Sequence, residues 1–111
     1  MILQLTKERY KEAAQESISK PIFIYFETPL CGTCKMGKRM LEIAVQTAAN
    51  NTPNLSIYQC NINEFPDLAR AYAITSVPCL TVLRRGVATK QVYAMQSAGH
   101  LYSILLSESA K

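Results

Sequence analysis

The chain has 111 residues, of which 49% are apolar and 18% charged, which is ordinary for a globular protein and enough for one domain over residues 1–111 with a core that needs no staples. The net charge of +4 is spread along the sequence rather than gathered into a basic run, which argues against nucleic acid as a partner. No segment approaches the ~18 consecutive apolar residues of a membrane span, so no membrane association is expected either. Residues 1–9 turn charged too early for the apolar stretch of a secretory leader. An intracellular chain is therefore expected. In a reducing compartment four cysteines are read as catalytic, metal-binding or core residues before they are read as a disulfide scaffold.

Thr6 can cap a first helix that runs to about Ser19, with Ala13, Ala14 and Ile18 on one face and Lys20-Pro21 as its stop. Ile22 to Glu27 is apolar on both faces and predicts a strand covered on two sides. A long helix follows from about Gly32 to Ala49, with Met36, Met40, Ile43, Ala44 and Thr47 recurring at helical spacing. Asn50 to Asn54 is turn chemistry, and Leu55 to Ile62 reads as a second strand. Pro66 sits in the first turn of a third helix that turns Leu68, Ala69 and Tyr72 inward. After a loop over Ile74–Pro78, Cys79–Leu83 is a strand and Arg85-Gly86 a turn, with Thr89–Ala94 pairing back as a hairpin. Ser97 caps a last helix with Leu101, Ile104 and Leu105 inward. This order gives an α/β fold with a parallel part and an antiparallel hairpin, covered by helices on both faces.

The most informative stretch is Cys31-Gly32-Thr33-Cys34, at the end of a strand and the start of a helix. A thiol there meets unpaired backbone N–H groups and the positive end of the helix dipole. Both favour the thiolate, which is the nucleophile. The pair therefore reads as a dithiol redox centre. Lys35, Lys38 and Arg39 follow directly. Lys38 and Arg39 are taken as a solvated helix face, while Lys35 stays open between that role and a positive rim for Cys31.

Together these residues resemble the thioredoxin family over nearly the whole chain. The resemblance is carried by Cys31-Gly32-Thr33-Cys34-Lys35 between strand and helix, by Asn61-Ile62-Asn63-Glu64, by Phe65-Pro66, and by Tyr72 to Pro78 before a strand that ends at Arg84-Arg85-Gly86. It implies a thioredoxin fold: a central four-stranded mixed sheet flanked by four helices, in the compact version without the extra N-terminal strand. It also implies a cis-Pro78 facing the cysteine pair, and a substrate-binding rim of Leu30, Gly32, Thr33, Val77, Pro78 and Ala94. Val77 would pair its backbone with an extended substrate segment. Cys31 would be the nucleophile and Cys34 the resolving thiol, alternating between dithiol and disulfide. The implied activity is that of a cytoplasmic protein-disulfide reductase serving redox homeostasis. Its partners would be disulfide-containing proteins, with a thioredoxin-reductase-like flavoenzyme or a small thiol as electron donor. No cofactor and no metal are expected, and a monomer is the default.

Several positions depart from the family pattern. Leu30 replaces a tryptophan and Thr33 a proline between the cysteines, which points to a less reducing centre than thioredoxin's. Tyr25 stands where the family has a buried Asp, Gln59 where that acid has its basic partner, and Glu27 is a candidate substitute. Arg39 replaces the proline that kinks the helix, and Ala94 a glycine of the substrate groove. Cys79 and Cys60 are read as small buried hydrophobes, Cys79 with a regulatory alternative. One close pair and two single cysteines do not make a zinc site, and His100 lies far from the pair. Two other functions compete: a glutaredoxin-like or bacillithiol-type activity with charge from Lys35, Lys38 and Arg84, and a binding module whose redox centre is slow or vestigial.

Overall fold

The computed structural model describes residues 1–111. One five-stranded sheet runs through the molecule in the order β1-β3-β2-β4-β5, with β1 Ile2–Gln4, β2 Ile22–Glu27, β3 Ser56–Asn61, β4 Cys79–Arg84 and β5 Val87–Val92. The first three strands in that order are parallel neighbours, while β4 runs antiparallel to both β2 and β5. Four helices cover it: α1 Lys7–Glu16, α2 Gly32–Ala48, α3 Pro66–Ala71 and α4 Ala98–Ser109.

The strand order corrects one expectation. The extra N-terminal strand is present: Ile2, Leu3 and Gln4 pair in parallel with Ile57, Tyr58 and Gln59, so the sheet has five strands rather than four. A three-residue edge strand is shorter than the four to eight residues over which alternation can be read from sequence.

The central strand β2 positions everything else. Its side chains alternate, as the pleat requires. Phe23 and Tyr25 join Leu41, Ala44 and Val45 of α2 and Leu101, Ile104 and Leu105 of α4 in one half of the core. Ile22, Ile24 and Phe26 join Ala13 of α1 and Leu68 and Tyr72 of α3 in the other. A strand buried on both faces must be apolar throughout, which is why Ile22–Phe26 is a continuous apolar run.

Helix ends follow local chemistry. The Thr6 hydroxyl accepts the Arg9 N–H at 3.1 Å and the Ser97 hydroxyl accepts the His100 N–H at 3.0 Å, so both capping residues act as their sequence predicts. The first helix ends at Glu16, short of Ser19, and Ile18 is exposed rather than packed with Ala13. Arg85 and Gly86, both with positive φ (52° and 74°), make the tight turn between β4 and β5. No helix is long and apolar enough to cross a membrane.

The second helix buries one face against the sheet and α4. Its buried face is Cys34, Gly37, Leu41, Ala44, Val45 and Ala48. Of the residues singled out for helical spacing, Ala44 lies in it and Met40 packs against the core while staying partly exposed. Met36 and Ile43 are 59% and 57% exposed. Gly37 fits because Tyr25 and Met95 press against it: a Cβ there would meet Tyr25 Oη at 2.5 Å and Met95 Cγ at 2.9 Å.

Candidate active site

Cys31 is the N-cap of α2, in extended conformation, and its Sγ accepts the Cys34 N–H at 3.1 Å. One of the unpaired donors of the helix start is thus spent on the sulfur itself, which favours negative charge there. Thr33 Oγ1 lies 3.3 Å from the same sulfur. Cys31 is partly exposed, whereas Cys34 is fully buried. The two are disulfide-bonded, their Cα atoms 5.1 Å apart. One sulfur is reachable from outside and the other only through it.

The Val77–Pro78 peptide bond is cis. Pro78 lines an open groove of about 340 Å³ together with Thr33, Met36, Gly37, Met40, Tyr93 and Met95. Of the six rim residues expected from sequence, this groove brings together Thr33 and Pro78. Leu30 is 98% exposed beside Cys31, Gly32 is exposed in the first turn of α2, and Val77 packs partly into the core behind Pro78. Ala94 is exposed beyond the end of β5. Sequence reasoning missed Met36, Met40, Tyr93 and Met95. The signal is the i, i+4 pair Met36 and Met40, which the sequence shows only as helical spacing.

Beneath the pair, Tyr25 is fully buried and its hydroxyl donates to the Cys34 carbonyl at 2.7 Å. Burial, with Glu27 nearby, pushes the phenol far above its ordinary value, so it holds its proton at any physiological pH. Glu27 is half-buried, and desolvation raises its carboxyl against an opposing pull from Lys38. Gln59, the register partner of Tyr25 on β3, donates its side-chain amide to Gln4 of the edge strand β1 at 2.8 Å. No carboxylate–lysine pair therefore replaces Tyr25 and Gln59 at those two positions.

Cys60 and Cys79 are free and fully buried on either side of Phe26, which is paired in register with both. Burial, then Glu64 and Glu27, pushes the Cys60 thiol up to about 12. Burial also raises Cys79, opposed by hydrogen bonds from Thr81 and Tyr93. Arg84, grouped with Lys35 and Lys38 from sequence, lies at the far end of β4. There it is paired with Glu108 and supplies no charge to the disulfide.

A family model described as Thioredoxin matches residues 1–107. The chain belongs to the thioredoxin family. Thioredoxin-like protein YusE of Bacillus subtilis (strain 168) is 34% identical to it over 87 residues, 78% of either chain. Among solved structures, Malassezia sympodialis thioredoxin (Mala s 13) matches with a TM-score of 0.81 over 98% of this chain and 91% of that one. Human ERp44 in its zinc-bound form matches with a TM-score of 0.82 over 96% of this chain, which spans only 31% of ERp44. At 19% identity these two show the thioredoxin fold alone. Thioredoxin family, thioredoxin fold and a cysteine pair at disulfide distance together support a thiol–disulfide oxidoreductase in general.

Proposed function

We propose that this thioredoxin-family chain acts as one domain over residues 1–111 that reduces disulfides of other proteins in the cytoplasm. The observation that carries the reading is the asymmetry of the pair: Cys31 partly exposed at the helix N-cap, Cys34 buried behind it within bonding distance. In the dithiol form the Cys31 thiolate attacks one sulfur of a substrate disulfide. The substrate S–S bond breaks, its second sulfur leaves as a thiolate that takes a proton, and a mixed disulfide to Cys31 remains. Cys34 then loses its proton and attacks Cys31 Sγ, which frees the other substrate sulfur and closes the Cys31–Cys34 disulfide. The substrate gains two electrons and two protons. A thioredoxin-reductase-like flavoenzyme or a small thiol returns the electrons, and the protein works as a monomer.

The test is insulin reduction with dithiothreitol as donor. Cys31→Ser abolishes turnover, since no nucleophile remains. Cys34→Ser makes the first attack and stops there, leaving a covalent adduct visible by non-reducing mass analysis. Turnover by Cys31→Ser, or adduct formation through Cys34 alone, would reverse the assigned roles.

One observation favours a second reading. Beneath Cys34 the buried Tyr25 hydroxyl is committed to a backbone carbonyl and keeps its own proton, so it takes none from the resolving thiol, and release of the adduct is slow. A chain of this kind would serve as a binding module. Wild-type protein that fails to turn over, while Cys31→Ser retains full partner binding, would establish that role.

A further inference from the structure

Beyond its buried face, the second helix carries a further apolar row, anchored at one point by Met40, which is partly buried and packs against the core. Cys34, Gly37, Leu41, Ala44, Val45 and Ala48 face inward. Met36, Met40 and Ile43 form a second row at i, i+4, i+7, spaced as neighbours on one helix face and spanning about 10 Å. Met36 is 59% and Ile43 57% exposed, and Met40 is partly exposed. The row is not isolated. Met36 and Met40 are walls of the groove that also contains Thr33 and Pro78, so the apolar surface continues from the disulfide out along the helix. On the helical wheel the edge away from the groove carries Lys35 and Arg39, both exposed and neither held in an ion pair. Beside the disulfide, then, an apolar track lies against two uncommitted cations.

We propose that this outer face of α2 selects the protein substrate. Met36, Met40 and Ile43 take apolar side chains from the segment flanking the target disulfide, and Lys35 and Arg39 take an acidic residue in that segment. Thioethers are unbranched and polarisable, so the Met36–Met40 part accepts apolar side chains of varied shape. The two cations add direction and on-rate rather than bulk affinity. The substrate class is a disulfide whose neighbours are apolar and acidic, and the same face disfavours basic, polar neighbours. The inference rests on the disulfide-exchange reading above.

The experiment uses pre-reduced full-length protein and two peptides with the same internal disulfide, one flanked by Leu, Phe and Glu, the other by Ser, Gly and Lys. Second-order rate constants are measured by single-turnover quenching, with a small aromatic disulfide to report the chemistry of Cys31 alone. The apolar–acidic peptide is expected to react at least ~10-fold faster at low salt, the scale of one apolar side chain seated or lost. Ile43→Gln is expected to shrink that ratio several-fold and Ile43→Leu to restore it. Arg39→Glu is expected to shrink it at low salt and to converge on wild type near 1 M salt, where screening acts within ~3 Å. Both positions are exposed on a helix, and a far-ultraviolet dichroism spectrum checks the fold of each variant. Equal rates for the two peptides with wild-type protein, or a ratio unchanged in both Ile43→Gln and Arg39→Glu, overturn the inference and leave disulfide exchange standing. Failure of wild type to react with either peptide and with the small disulfide overturns disulfide exchange itself, and this inference with it.

Discussion

At the scale of single residues, the chemistry turns on what touches two sulfurs. Thr33 is the clearest departure from the family pattern, and the structure gives it an atom-level consequence: its hydroxyl lies 3.3 Å from Cys31 Sγ. A hydroxyl there donates to a thiolate more strongly than to a disulfide sulfur, so it stabilises the reduced form and makes the pair more oxidising. Thr33→Val keeps the shape and removes the donor. Its reduction potential is expected to fall by roughly 10–30 mV, one ordinary hydrogen bond expressed in a two-electron couple. Equilibration against reference thioredoxin with acid quenching measures it, and an unchanged or higher potential would mean that the hydroxyl does not address the sulfur. Gly37 matters for a different reason. It has no side chain, so Tyr25 and Met95 close over the first turns of α2, and Tyr25 Oη reaches the Cys34 carbonyl.

At the scale of elements, β1 carries the main difference between the expected and the observed fold. Ile2 and Leu3 alternate across the pleat, Ile2 packing on the half of the core under α2 and α4, Leu3 on the half under α1 and α3. The strand also covers the edge of β3, with Leu5 N–H donating to the Gln59 carbonyl at 2.8 Å just beyond it. Leu3→Ala is expected to cost about 1–2 kcal/mol, less than a fully buried leucine because Leu3 stays partly exposed. Urea unfolding measures it, and a loss under a few tenths of a kcal/mol would make β1 ornamental to stability. The second helix is the counterpart case: sequence spacing located it within a residue at either end but did not separate its buried face from its exposed one.

At the scale of the whole molecule, the pole opposite the disulfide is clamped by charge. Glu108 of α4 is buried. Its carboxylate takes Lys111 Nζ at 2.9 Å and Arg84 at 3.4 Å, and the same guanidinium also donates to the Glu108 backbone carbonyl. Arg84 ends β4, so the contact ties the last helix to the sheet. Burial alone would raise the Glu108 carboxyl, but Lys111 and Arg84 hold it below its ordinary value. A carboxyl lowered in the folded state contributes stability above its unfolded value, and that contribution is lost as pH falls through the lowered one. Glu108→Gln is therefore expected to cost about 1–3 kcal/mol at pH 7, the range for hydrogen bonds to a charged group, and progressively less below about pH 4. Stability curves of both proteins across pH 2.5–7 check it. A difference that does not shrink with acid would assign the loss to packing instead of charge.

The sequence by itself determined the four helices, the four longer strands and the reactive pair. Apolar runs, caps and turn residues act between near neighbours, so Thr6, Ser97, the buried run Ile22–Phe26 and the Cys31–Cys34 helix start were legible without coordinates. The family resemblance added Pro78 beside the pair. Only the tertiary structure decided which apolar face of α2 is buried, because two faces with similar spacing are separated by what packs on them, here Tyr25, Met95 and α4. It alone recruited Ile2–Gln4 as a fifth strand, since three residues gain their stability from an edge offered by β3, not from their own pattern. It also separated Arg84 from Lys35 and Lys38, and gathered Met36, Met40, Tyr93 and Met95 around Pro78. Proximity between residues far apart in sequence is set by how strands and helices stack, and no local periodicity encodes it.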